Sequence, residues 1–187
     1  MRQSLAAGVK FFQYRSKNGP RKVIYETSLM LARIAGDAQA CFIVNDHADI
    51  AAAVEADGVH LGQDDLPIGF ARKLLGKDKL IGISTHSLAQ ARAAEAAGAD
   101  YVGFGPIFKT STKDAGQTQG IQNLTIIKNS VAIPVIAIGG INQANMQFVA
   151  QAGADGAAVI SGVIAAPDIG SAAELLVDIW KKFRRDS

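Results

Sequence analysis

Apolar and polar positions alternate along this chain on two length scales. Short, nearly uninterrupted apolar runs rich in Val, Ile, Phe and Gly fall at about 9–14, 41–45, 58–61, 80–84, 101–105, 134–138 and 156–160. Runs of this kind are the pattern of parallel strands covered on both faces. Between them lie segments rich in Ala, Leu, Gln and Arg, at about 20–36, 48–55, 67–75, 87–97, 121–130, 142–151 and 168–185. These read as helices, and Ala89 to Ala97 is strongly helix-forming throughout.

One phrase recurs where a helix hands over to the next strand: Glu55-Ala56-Asp57-Gly58-Val59, Ala97-Gly98-Ala99-Asp100-Tyr101-Val102 and Ala152-Gly153-Ala154-Asp155-Gly156-Ala157. Gly98 and Gly153 suit the left-handed residue that closes a helix, and the aspartate suits a tight turn. No linker or low-complexity segment interrupts the repeat, so residues 1–187 read as a single domain. Repeated strand–helix units predict either a (β/α)8 TIM barrel or an open doubly wound sheet. The doubly wound fold places its glycine-rich loop after the first strand, whereas here Gly139-Gly140 comes late, where barrels bind phosphate. The barrel is therefore expected. Met1 to Gly8 reads as the tail of a helix, which leaves the count one strand short of eight. The expectation is a barrel lacking its first strand and most of its first helix.

Composition narrows the function. A formal net charge of +2 gives no electrostatic reason to expect nucleic acid or an anionic membrane surface as a partner. The apolar runs are too short to span a bilayer, and Met1-Arg2-Gln3-Ser4-Leu5 has no signal-peptide core. A single cysteine, Cys41, excludes an intrachain disulfide and reads as a small core residue. A cytoplasmic enzyme is expected, with self-association into a homo-oligomer left open.

The candidate chemistry lies where the strands end. Asn45-Asp46 follows Cys41-Phe42-Ile43-Val44, and Gln63-Asp64-Asp65 follows Gly58-Val59-His60-Leu61. If these strands are parallel neighbours, Asp46 and Asp65 converge on one edge and suit a hard cation completed by substrate phosphates. Asp64 is the weaker candidate, and ordinary helix capping by Asn and Asp is the competing reading. Gln13, Arg15 and Lys17 share one face if the strand persists that far, with Phe12 and Tyr14 on the other, and a solvated strand end is the competing reading. Arg15 offers a bidentate contact to a diphosphate and Lys17 a point charge. Ser84 can donate to phosphate, and Ser87 suits a helix cap. His47, His60 and His86 form no metal-binding pattern, and His60 has no assignable role. The polar stretch from Gly105 to Gly120, with Thr110, Thr112 and Lys113, suits a loop closing over an anion. Gly139-Gly140 and Ile160-Ser161-Gly162 follow the last two strands and allow close phosphate approach. Two anion sites fit a reaction joining two phosphorylated substrates.

The ordered set of Gln13-Tyr14-Arg15-Ser16-Lys17, Asn45-Asp46, Gly58-Val59-His60-Leu61-Gly62-Gln63-Asp64-Asp65, Gly82-Ile83-Ser84, Gly103-Phe104-Gly105-Pro106-Ile107-Phe108, Thr110-Ser111-Thr112-Lys113 and Ala137-Ile138-Gly139-Gly140-Ile141 resembles the thiamine-phosphate synthase family over nearly the whole chain. The resemblance implies condensation of 4-amino-5-hydroxymethyl-2-methylpyrimidine diphosphate with 4-methyl-5-(2-phosphooxyethyl)thiazole, giving thiamine phosphate and pyrophosphate. It implies that Gln13, Arg15, Lys17, Asn45, Ser84 and Lys113 hold the pyrimidine diphosphate, with Arg15, Lys17, Ser84 and Lys113 the groups that assist catalysis. Asp46 and Asp65 would hold Mg²⁺. Thr110, Thr112, Gly140, Ile160 and Ser161 would surround the thiazole phosphate. Ser16 departs from the acidic residue usual between the Arg and the Lys, and the family's first strand and most of its first helix precede the position of Met1. A thiazole tautomerase or a non-catalytic phosphate-binding barrel is the alternative within this fold, and Mn²⁺ the alternative metal.

Overall fold

The computed structural model describes residues 1–110 and 117–184. Seven strands run in chain order: β1 (Phe11–Tyr14), β2 (Cys41–Asn45), β3 (Gly58–Leu61), β4 (Leu80–Thr85), β5 (Tyr101–Phe104), β6 (Val135–Ile138) and β7 (Gly156–Ala158). They form one parallel sheet in the order β1-β2-β3-β4-β5-β6-β7. Helices follow each strand: α2 (Arg21–Asp37), α3 (Ala48–Ala53), α4 (Ile68–Leu75), α5 (Leu88–Ala96), α6 (Gly120–Lys128), α7 (Met146–Gln151), α8 (Ser161–Ile164) and α9 (Ile169–Phe183), after a short α1 (Arg2–Ala6). The expected strand–helix alternation is present, after a short leading helix. The described strands number seven, the number expected of a barrel lacking its first strand, and β1 and β7 each pair with one neighbour, so the sheet they form is open-ended.

The sheet curls. Flat, β1 and β5 would stand on the order of 19 Å apart, four spacings of about 4.8 Å. Yet the Phe11 ring of β1 meets the Tyr101 ring of β5 edge-on, with centroids 5.6 Å apart. The outer face carries Phe42, Val44, Val59, Leu61, Ile81, Val102, Phe104 and Val135, which pack with Ile24, Ala71, Ala91, Leu124 and Val149 of the helices in one apolar cluster. Phe12 and Tyr14 join this layer, as the strand alternation predicts. The inner face carries Gln13, Ile43, Asn45, His60, Ser84 and Tyr101 by the same alternation. Cys41, also on that face, is half-buried rather than fully in the core. Burial, and then the charge of Asp57, pushes its thiol up to about 12, so it stays protonated and inert.

The recurring aspartates do more than turn the chain. The Asp57 carboxylate accepts from the Phe42 N–H at 2.7 Å while its own N–H donates to the Phe42 carbonyl at 2.9 Å. Asp100 treats Ile81 the same way, at 2.7 and 2.9 Å. Asp155 repeats it with Val135, at 2.8 and 2.9 Å. Each aspartate thus closes the start of the preceding strand. Arg72 pairs with Asp100 at 2.5 Å and Lys128 with Asp155 at 2.7 Å. Gly98 and Gly153 take the expected positive φ, 90° and 84°.

Two elements differ from the sequence reading. The helix expected over 142–151 begins at Met146, because Asn side chains divert the backbone before it. Asn145 Oδ1 accepts from the Asn142 N–H, and Asn142 Oδ1 accepts from the Ala144 N–H. The strand expected over 156–160 ends at Ala158, and the short α8 starts at Ser161.

Candidate active site

Parallel strands bring the predicted chemical groups among the described residues to one edge, the carboxyl ends of β1 to β7. Asn45 closes β2 and stands in register with His60 of β3. Asp46 follows with φ 65°, a left-handed turn that an L-residue adopts only when held there. Its N–H donates to the His60 carbonyl at 2.8 Å, which supplies the hold. Asp65 comes from the turn after β3, where its carboxylate accepts from the Gly62 N–H at 2.6 Å. Asp46 and Asp65 do converge. Burial first, then the Asp65 charge and a hydrogen bond between the two carboxyls, push the Asp46 carboxyl above its ordinary value. The Arg15 guanidinium beyond β1 acts in the opposite direction. Two carboxyls this close share a proton or a cation.

The capping alternative does not describe these residues. His47 and Pro67 are the N-cap positions of α3 and α4, and neither makes a side-chain cap bond. Ser87 does cap α5, accepting from the Gln90 N–H. Asp64 is exposed. Asn45 is 7% exposed, and its amide nitrogen has no hydrogen-bond partner. A buried, unsatisfied donor beside a carboxyl pair is costly unless a ligand meets it.

The remaining groups lie at or beyond the ends of the neighbouring strands. Gln13 is exposed on the inner face of β1 beside the Tyr101 hydroxyl, whose pKa burial raises and Gln13 draws down. Lys17 is exposed beyond β1. Ser84, on β4, has its Oγ 2.9 Å from His60 Nε2. Gln63, not singled out in the sequence, donates to the Ser84 carbonyl at 2.7 Å. His86 Nδ1 lies 2.6 Å from the Gly105 carbonyl, a structural role.

On the other side of the edge, Gly139 and Gly140 have φ 95° and 67°. A side chain at Gly140 would stand 2.6 Å from the Lys109 carbonyl and 2.8 Å from Phe108. The β6 turn therefore lies directly under the segment that carries Thr110. Asn145, also missed in the sequence, donates to the Gly140 carbonyl at 2.9 Å and holds that turn. Ile160 and Ser161 are exposed at the start of α8, which approaches the same turn: a side chain at Gly162 would stand 3.3 Å from the Ile141 carbonyl. Thr112 and Lys113 lie outside the described residues.

Fold and edge together define a parallel α/β protein whose strand ends carry a carboxyl pair at one side and glycine turns at the other. The model of the family described as thiamine monophosphate synthase matches residues 1–163. A thiamine-phosphate synthase of Moorella thermoacetica is 47% identical over 185 residues, covering 98% of this chain and 88% of the relative. One from Methanosarcina barkeri is 44% identical over 186 residues, covering 99% and 84%. The solved thiamine phosphate pyrophosphorylase of Pyrococcus furiosus is 42% identical with a TM-score of 0.91, covering 97% and 88%. The chain belongs to the thiamine monophosphate synthase family.

Proposed function

We propose that the chain is a transferase that joins a hydroxymethylpyrimidine diphosphate to a thiazole phosphate, forming thiamine phosphate and releasing pyrophosphate. Kinship supports this reaction. The observation that carries its chemistry is the opposed Asp46–Asp65 pair beside Arg15. We read the open-ended sheet as a form of the (β/α)8 barrel, a reading supported by its curl.

The residues fit a hard cation. Two carboxyls converge, and no cluster of three or more His, Cys, Asp or Glu side chains occurs among the described residues. That leaves coordination positions for diphosphate oxygens and water, the usual arrangement for Mg²⁺. When bound, Mg²⁺ would neutralise charge on the diphosphate and make it a better leaving group. Arg15 and Lys17 would bind and orient the same group, and Lys113 would join them. The Asn45 amide, buried without a partner, would donate to the pyrimidine substrate, and Gln13 would position its ring. Ser84 would donate to the diphosphate. As the C–O bond breaks, its electron pair leaves with pyrophosphate, and the pyrimidinylmethyl carbon becomes cationic. The thiazole nitrogen supplies the pair that forms the new C–N bond. Thr110, Thr112, Gly140, Ile160 and Ser161 would hold the thiazole phosphate in place for that attack. No residue has to accept a proton, so the protein's contribution is placement and electrostatics.

The test mixes purified protein with both precursors and Mg²⁺ and measures thiamine phosphate and pyrophosphate. Equal amounts of the two, lost without the divalent ion and in Asp46→Ala, support the reading. Thiazole isomerisation alone, or binding without turnover by folded protein, would overturn it.

A further inference from the structure

His60 has no part in the reaction as set out above, yet it lies at the centre of the sheet interior, 7% exposed. Its Nδ1 is 3.0 Å from the Tyr101 hydroxyl on β5, and its Nε2 is 2.9 Å from Ser84 Oγ on β4. The two rings stand 5.4 Å apart. Glycines make the room. A Cβ at Gly82, which is in register with Tyr101, would lie 2.0 Å from the tyrosine ring. A Cβ at Gly103 would lie 3.0 Å from His60 Cε1. Phe11, edge-on at 5.6 Å, fixes the far side of the Tyr101 ring.

A neutral imidazole has one donor nitrogen and one acceptor nitrogen, and the bond made at one decides the other. The phenol is the more acidic of the two hydroxyls that flank His60. It is therefore the better donor to the basic imidazole nitrogen. Burial pushes the Tyr101 phenol well up, with the Cys41 thiol adding to the effect, so the O–H stays intact at neutral pH.

We propose that Tyr101 and His60 are positioning residues that set the direction of the Ser84 hydroxyl. Tyr101 O–H donates to Nδ1, Nε2–H donates to Ser84 Oγ, and the Ser84 hydrogen is left free to donate to a phosphate oxygen. Reversed, Ser84 would spend its hydrogen on Nε2 and turn only lone pairs toward an anion that has no hydrogen to give. The identity of that anion as the diphosphate rests on the function proposed above. The direction of the chain does not.

Two measurements test it on the intact protein. Nitrogen-15 NMR of the His60 ring at neutral pH, without substrate, is expected to show Nε2 protonated, and Tyr101→Phe to give a mixture of tautomers. A protonated Nδ1 in the unsubstituted protein overturns the proposal. Inorganic pyrophosphate with Mg²⁺ is then titrated into Tyr101→Phe, Ser84→Ala and the double variant. Tyr101→Phe is expected to weaken binding roughly tenfold, the worth of one lost charge-assisted hydrogen bond. It is expected to cost little further on the Ser84→Ala background, because its effect passes through that hydroxyl. An equal loss on both backgrounds overturns the proposal. If both measurements come out as expected while no thiamine phosphate forms from the two precursors, the function is wrong and the positioning chain stands.

Discussion

Aspartates stand at both ends of the same sheet, and they are treated in opposite ways. At the amino end, Asp57, Asp100 and Asp155 each bracket a strand start with a backbone donor and a carboxylate acceptor, and two of them also meet a cation. At the carboxyl end, Asp46 and Asp65 face each other, and the nearby Asn45 amide lacks a partner. The first set lowers the free energy of the fold. The second raises it, because half-buried like charges oppose each other until a cation or proton intervenes. A residue type says little here, while its position on a parallel sheet says a great deal.

The largest effect that would break this contrast is on turnover. Asp46→Asn is expected to lower the rate of thiamine phosphate formation by roughly a thousandfold or more, the scale of losing a charge-stabilising group. The same variant is expected to melt no lower than the unsubstituted protein at neutral pH without metal, as seen by calorimetry. Next comes Asp155→Asn, expected to cost about 2–3 kcal/mol, or about 4–12 °C in Tm, with turnover per folded molecule preserved. Gly140→Ala sharpens the comparison from the other side of the edge. Its Cβ would need φ 67° and would press on Lys109 and Phe108. The KM for the thiazole phosphate is expected to rise about tenfold, with that for the pyrimidine diphosphate unchanged.

The smallest effect is on pH dependence. The Asp46 pKa is raised in the folded state, so between its ordinary value of 3.8 and that raised value the fold binds more protons than the unfolded chain. Its contribution to stability is therefore present at low pH and lost as pH rises through the folded value. Subtracting the melting curves of Asp46→Asn from those of the metal-free protein should show a difference of that sign. Mg²⁺ affinity should fall over the same range as pH drops, because protons compete for the pair.

Much of this was legible beforehand, for a physical reason. Parallel strands buried on both faces must be apolar runs, and their polar residues are pushed to the ends. Asn45, Asp46 and Asp65 could thus be placed on one edge without coordinates. What stayed hidden depended on curl and on side-chain reach. The contact of Phe11 with Tyr101 crosses four strand spacings, which no local pattern encodes. His60 accordingly had no role until the curl brought it between Tyr101 and Ser84. A signal was present in Gly82, a side chain removed from mid-strand opposite a tyrosine, since such a glycine marks a close approach. The repeated aspartate was visible as a repeat, but its partner lies on the preceding strand rather than in its own turn. The late start of α7, at Met146 rather than Asn142, was hidden because Asn side chains took backbone hydrogen bonds that a helix would have used.

The most direct measurement is the melting temperature of three proteins with and without Mg²⁺ and inorganic pyrophosphate: the unsubstituted chain, Asp46→Asn and Asp155→Asn. Ligand that binds only the folded state raises Tm by mass action. The account predicts that Mg²⁺ with pyrophosphate raises the melting temperature of the unsubstituted chain and of Asp155→Asn by the same increment, though the latter starts lower, and leaves Asp46→Asn unmoved. An equal rise in Asp46→Asn would contradict it.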